Sequence, residues 1–110
     1  MRTLFVALAG LVALCTGSAL ADQDPGLIEG KAVYDYLCSR CHADGQGGAP
    51  VVGQVEDWQD RVGYRRELLV KHASEGYLGM PAGGGEARLD EAAIASAVNY
   101  MLYQSIASDE

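Results

Sequence analysis

Among its 110 residues the chain has three cysteines, three prolines, one phenylalanine and one tryptophan, and acidic side chains outnumber basic ones 15 to 8. Each scarcity removes a class of protein. Three cysteines cannot build the multi-bridge framework that stabilises many small secreted domains. A formal charge of −7 leaves no basic footprint for nucleic acid or for an anionic membrane surface. The one nearly unbroken apolar run, residues 4–14, is about half of the ~20 residues that span a bilayer. No convincing alternation of apolar and polar residues marks strands, so a parallel sheet with crossover helices is not expected.

The first residues instead have the pattern of a secretory leader. A basic start at Arg2 is followed by the apolar run, then by the small-x-small sequence Ala19-Leu20-Ala21 and the polar Asp22-Gln23-Asp24. Residues 1–21 are read as a signal peptide cleaved after Ala21. Cys15 raises a lipid-anchor reading, but Leu14 is bulky where such sites want a small residue. The mature chain, residues 22–110, is expected to be one domain with no stable membrane insertion. Cleavage removes Arg2, Phe5 and Cys15, leaving a charge of −8, no phenylalanine and two cysteines. A domain this small buries a limited fraction of its surface. Its acidity either keeps an exported protein soluble or steers a basic partner with a salt-dependent rate.

Both remaining cysteines fall in Cys38-Ser39-Arg40-Cys41-His42. Two thiols three positions apart on one helical turn can reach the two vinyl groups of a single porphyrin, and the adjacent imidazole then serves as proximal iron ligand. The run therefore reads as a covalent attachment site for one c-type haem, with Cys38 and Cys41 as thioether positions and His42 on the metal. A porphyrin in the centre also explains a core so poor in phenylalanine. Three alternatives stay open: a thioredoxin-like redox pair, half of a zinc site, and a local disulfide. The only other histidine is His72.

A second iron ligand is sought among soft donors. Met1 lies in the leader and Met101 on an apolar helical stripe, whereas Met80 sits in a glycine-rich stretch directly before Pro81. Proline biases the residue before it towards an extended conformation, which can aim a side chain inward from a loop. A thioether stabilises ferrous iron and raises its potential. Met80 is thus the expected sixth ligand, against the plainer reading of a core-filling methionine. His72 is the competitor, but its helical, amphipathic surroundings fit a half-exposed surface histidine better.

Four helical segments are expected. Asp24-Pro25 opens the first, with Leu27, Tyr34, Leu37, Cys38 and Cys41 near one face. Residues 54–62 form a weak candidate around Trp58. Residues 65–74 form a better one, with Leu68, Leu69 and Ala73 on one side. The last starts at an Asp90 N-cap with Leu89 and Ile94 as a hydrophobic staple, and carries Ala93, Ile94, Ala97, Val98 and Met101 as its stripe. Residues 44–53 and 76–85 hold nine of the 14 glycines and two of the three prolines and are loops.

Taken together, the Cys-x-x-Cys-His run, the Met80-Pro81 loop and the amphipathic last helix resemble class I cytochrome c. Gly30-Lys31-Ala32-Val33-Tyr34, Gly48-Ala49-Pro50, Trp58 with Arg61, Met80-Pro81-Ala82-Gly83-Gly84 and Ala97-Val98-Asn99-Tyr100-Met101 are similar to the bacterial cytochrome c₅ group over nearly the whole mature chain. Several members of that group carry an extra cysteine pair before the last helix, where this chain has Gly85-Glu86-Ala87-Arg88-Leu89. The resemblance implies an all-α cytochrome c fold around one haem, located in the periplasm. It implies that Pro50 offers its carbonyl to the His42 Nδ1–H. It also implies that Trp58, by its indole N–H, and Arg61 contact a haem propionate, and that Gly30 lets the first and last helices pack closely, against Val98 or Tyr100. The expected function is one-electron transfer between a respiratory donor and an oxidase, reductase or dehydrogenase, by a monomer without catalysis of its own. A haem enzyme or gas sensor with a labile sixth ligand, and a subunit of a larger redox complex, are the alternatives.

Overall fold

A computed structural model of the chain describes residues 24–61 and 65–106, together with 3 and 9–11. The cleavage signal at residues 19–21 lies outside the described residues. Within them the structure is helical: α1 (Pro25–Val33), α2 (Ser39–His42), α3 (Val55–Gln59), α4 (Arg66–Glu75) and α5 (Glu91–Ser105). A π-helical turn, Tyr34–Cys38, joins α1 to α2 in one right-handed course that runs from Pro25 to His42. The wide turn lodges an extra residue, and such single-turn bulges are frequent at functional sites. Here it immediately precedes the Cys-x-x-Cys-His run. Three-ten-type turns at Gln46–Gly48 and Ala82–Gly85 sit inside the two glycine-rich loops. Among the described residues the sole strand-like pairing is an isolated bridge, Tyr77 to Met80.

The helix starts follow local chemistry. The Asp24 carboxylate accepts from the Gly26 N–H at 2.8 Å with Pro25 in the first turn, and the Asp90 carboxylate accepts from the Ala93 N–H at 2.8 Å. Each bond satisfies one of the donors that a helix N-terminus leaves open. α3 is shorter than expected, ending at Gln59; Val62 lies outside the described residues.

α1 crosses α5 at Gly30. A Cβ placed there would lie 2.1 Å from the Ser96 carbonyl oxygen and 2.9 Å from Tyr100 Cβ, so only glycine fits the crossing. The partners are Ser96 and Tyr100; Val98, the other expected partner, belongs to the buried cluster instead. That cluster joins Trp58, Val70, Ala73, Ile94, Val98 and Met101, with Leu89 packed against it. The α5 stripe is as expected apart from Ala93, which is half-buried. On α4 the helical phase differs from the expected one. Val70 is buried and Leu68 is exposed, because the helix turns its Val70–Ala73 edge towards α5.

Candidate functional site

The helices surround a largely apolar cavity of about 330 Å³ whose lining includes Cys38, Cys41, His42, Pro50, Trp58, Arg61 and Met80. Residues scattered over 43 positions of sequence are thereby brought to one space. All seven sequence-predicted site residues line it, and so does His72.

His42 ends α2 and is 9% exposed. Its Nδ1 lies 2.8 Å from the Pro50 carbonyl oxygen. A carbonyl can only accept, so Nδ1 carries the proton and donates, and in the neutral ring Nε2 is the nitrogen with a bare lone pair. The Val52 N–H donates back to the His42 carbonyl at 2.8 Å, so both ends of this residue are tied to the loop that follows.

That loop is itself held from α3 and α5. The Asp57 carboxylate accepts from the Val51 N–H at 3.0 Å, and the Trp58 indole N–H donates to the Val51 carbonyl at 2.8 Å. Two residues on, the Gly53 N–H donates to the hydroxyl of buried Ser105 at 3.1 Å, while that hydroxyl donates to the Met101 carbonyl at 2.7 Å. Asp57, Val51 and Ser105 are participants that the sequence did not single out. An acidic residue in a short helix and a serine 52 positions from its partner carry no local signal.

Indole has a single N–H, and in Trp58 it donates to the Val51 carbonyl. Trp58 is 5% exposed, and its ring centroid lies 6.3 Å from that of His42. Its observed roles are to wall the cavity and to brace the loop. Arg61 is half-buried, and its Nη1 donates to the Asp57 carbonyl.

Met80 belongs to a turn. The Tyr77 N–H donates to the Met80 carbonyl at 3.0 Å, and the Met80 N–H donates to the Tyr77 carbonyl at 2.9 Å. Gly76 enters the turn at φ +91°, where a Cβ would lie 3.2 Å from the Met80 carbonyl oxygen. Leu78, at the tip, has φ +51° and is 90% exposed.

The open alternatives for the cysteine pair can now be compared. Cys38 and Cys41 are not bonded to each other. Burial pushes the Cys38 thiol above its ordinary range, the reverse of a reactive redox dithiol. Among the described residues no three His, Cys, Asp or Glu side chains gather as a metal cluster. A porphyrin fits the same residues better: two thiols one turn apart, an imidazole with its tautomer fixed, and a thioether all face one apolar cavity. No helix among the described residues is long and apolar enough to cross a membrane.

Comparison with known proteins agrees with this chemistry. Residues 26–101 match the family described as cytochrome C oxidase, cbb3-type, subunit III. The chain is 40% identical to a cytochrome c-555 of Chlorobaculum tepidum over 108 residues, which covers 94% of this chain and 97% of that one. It is 42% identical to a cytochrome c-551 of Halorhodospira halophila over 78 residues, covering 67% of this chain and 96% of the relative. Among solved structures it is similar to one described as an electron transfer complex of nitrite reductase with cytochrome c. The TM-score there is 0.67 at 33% identity, covering 74% of this chain and 96% of that one. The chain therefore belongs to the class I cytochrome c family, the small electron-transport cytochromes that hold iron in a covalently bound haem c.

Proposed function

We propose that the protein is a single-haem electron carrier of the periplasm, its mature form being residues 22–110 after loss of the leader. The observation that carries this reading is the His42–Pro50 bond beside a cavity that Cys38, Cys41 and Met80 also line. When bound, the haem supplies a one-electron couple at its iron. Cys38 and Cys41 would anchor it through two thioether links, one from each thiol. His42 would offer Nε2 to the iron, with the Pro50 carbonyl orienting the ring and raising its basicity. Met80 would offer its thioether sulfur to the iron. A haem held by both His42 and Met80 would leave no site on the metal for a substrate, in keeping with a carrier that performs no catalysis of its own.

Arg61 uses one of the five donors of its guanidinium on the Asp57 carbonyl, which leaves capacity for a haem propionate. Trp58 acts through Val51 and the wall of the cavity. The apolar segment from Tyr77 to Ala82 is the docking collar. Tyr77 and Leu78 are 48% and 90% exposed, and Gly79, Pro81 and Ala82 are exposed beside them. The charge of −8 that the mature chain would carry favours a redox enzyme with a basic rim around an apolar contact. The similarity to a cytochrome c found with nitrite reductase supports a redox enzyme as partner. The carrier works as a monomer.

The test is an absorption spectrum of the exported protein in both redox states, beside a Met80→Ala variant. A far-red band in the oxidised protein that disappears in the variant is the expected result. A high-spin spectrum, or a variant with unchanged ligation, would overturn the assignment and return a sensor or enzyme to consideration.

A further inference from the structure

The ring contact between His72 and Tyr77 has no part in the reading above. The two planes are 8° apart and the centroids 3.8 Å apart, a flat stack. His72 is on α4, half-buried, and lines the cavity. Tyr77 is the residue of the next turn that is locked to Met80, through main-chain hydrogen bonds of 3.0 and 2.9 Å in both directions. A continuous path of contacts therefore runs from α4 through two rings to the backbone of Met80.

The turn needs such an anchor. A bulky residue at positive φ is a genuine outlier, and Leu78 adopts +51° while leaving its side chain in solvent. Two main-chain bonds alone hold a two-residue turn only marginally in water. The Gly76 N–H bond to the His72 carbonyl, 2.9 Å, ties the entry of the turn to α4. The ring stack ties its first corner to the same helical residue.

We propose that the His72–Tyr77 stack clamps the Met80 turn onto α4, so that His72 and Tyr77 are positioning residues for Met80. The proposal rests on Met80 being an iron ligand. A thioether is a weak ligand, so its success against a competitor depends on how firmly the turn is held before binding. An aromatic pair contributes enough for its loss to change that competition roughly three- to tenfold.

The experiment is an imidazole titration of the ferric holoprotein, followed by loss of the far-red band. His72→Ala and Tyr77→Ala are each expected to tighten imidazole binding about three- to tenfold, and the double variant no further than either single one. His72→Phe keeps a flat ring and restores resistance, which a general loss of folding would not. Lys71→Ala, on the exposed side of α4, leaves binding as in the wild type. If His72→Ala does not accumulate as folded protein, Tyr77→Ala against Tyr77→Phe makes the same comparison. Wild-type imidazole binding in both alanine variants overturns the clamp, as does His72→Phe behaving like His72→Ala. Met80→Ala separates the two readings. If it abolishes the band while His72→Ala is silent, only the clamp fails; if the band survives, the ligand assignment and the clamp fail together.

Discussion

The part of the cavity wall that carries His42 and the part that carries Met80 are built from different interactions. Around His42, side chains from three helices converge on one short loop. His42 itself binds Pro50, Asp57 and Trp58 grip Val51 from both sides, and Ser105 takes Gly53. Around Met80 the hydrogen bonds seen are main-chain ones within the turn, aided by a ring stack, and the tip residue is 90% exposed. Buried polar groups must find partners, and a network that satisfies them also fixes geometry. An apolar turn has fewer such demands and can shift at lower cost. The contrast matches the two proposed ligands. A histidine ligand needs its tautomer and orientation set by an outer partner, whereas a thioether needs only to be delivered, and delivery can be tuned.

The strongest way to break this contrast is to remove the Met80 sulfur. Met80→Ala is expected to keep the helical far-ultraviolet spectrum and the covalently attached haem, because the His42 side is untouched. The reduction potential should fall by a few tenths of a volt, a sizeable part of the roughly 0.8 V range that axial ligands span. Potentiometric titration of the two proteins side by side measures it. A potential that hardly moves would mean that the Met80 side supplies no ligand, and the asymmetry would then have no functional meaning.

Next in size come the side chains that brace the His42 loop. Asp57→Ala leaves the Val51 N–H without its carboxylate acceptor, a loss of about 1–3 kcal/mol of stability in denaturant unfolding of the holoprotein. Ser105→Ala removes the acceptor for Gly53 at a site only 2% exposed, with a cost of about 1–2 kcal/mol. Neither substitution touches Met80, so the far-red band should persist in both. If either one erases the band while leaving stability unchanged, the two sides are coupled and the division drawn between them is wrong.

What could be read from the sequence was whatever local chemistry encodes. The haem run compresses two thiols and an imidazole into five residues, the Asp90 cap precedes its helix by one residue, and Met80 is marked by the proline after it. All seven predicted site residues line one cavity. The phase of α4 was less legible, because Leu68, Leu69 and Val70 are adjacent apolar residues and periodicity alone cannot say which two face in. The π-helical turn before Cys38 has no compositional mark. The remainder is long-range. Gly53 meets Ser105 across 52 residues, Gly30 meets Ser96, and the Trp58 N–H is taken by a carbonyl whose position depends on how the whole loop closes. A single donor goes to whichever acceptor the fold brings first, and a motif does not record that.

The smallest expected effect sharpens the comparison most finely. Leu78→Gly relieves a left-handed backbone that costs an ordinary residue about 1–2 kcal/mol. Glycine returns about 0.5–1 kcal/mol of that by loosening the unfolded chain, and little burial is lost from a side chain 90% exposed. The net is a stabilisation of at most about 1.5 kcal/mol, readable as a small rise in the denaturant midpoint of the holoprotein. Association with a redox partner should move the other way, because the exposed leucine is the largest apolar group on the proposed collar. A variant that is slightly more stable yet transfers electrons more slowly at equal potential would show that the strain at Leu78 is retained for docking. Slower transfer with no gain in stability would instead mean that the turn is relaxed as it stands, and that the Met80 side is built more firmly than its hydrogen bonds indicate.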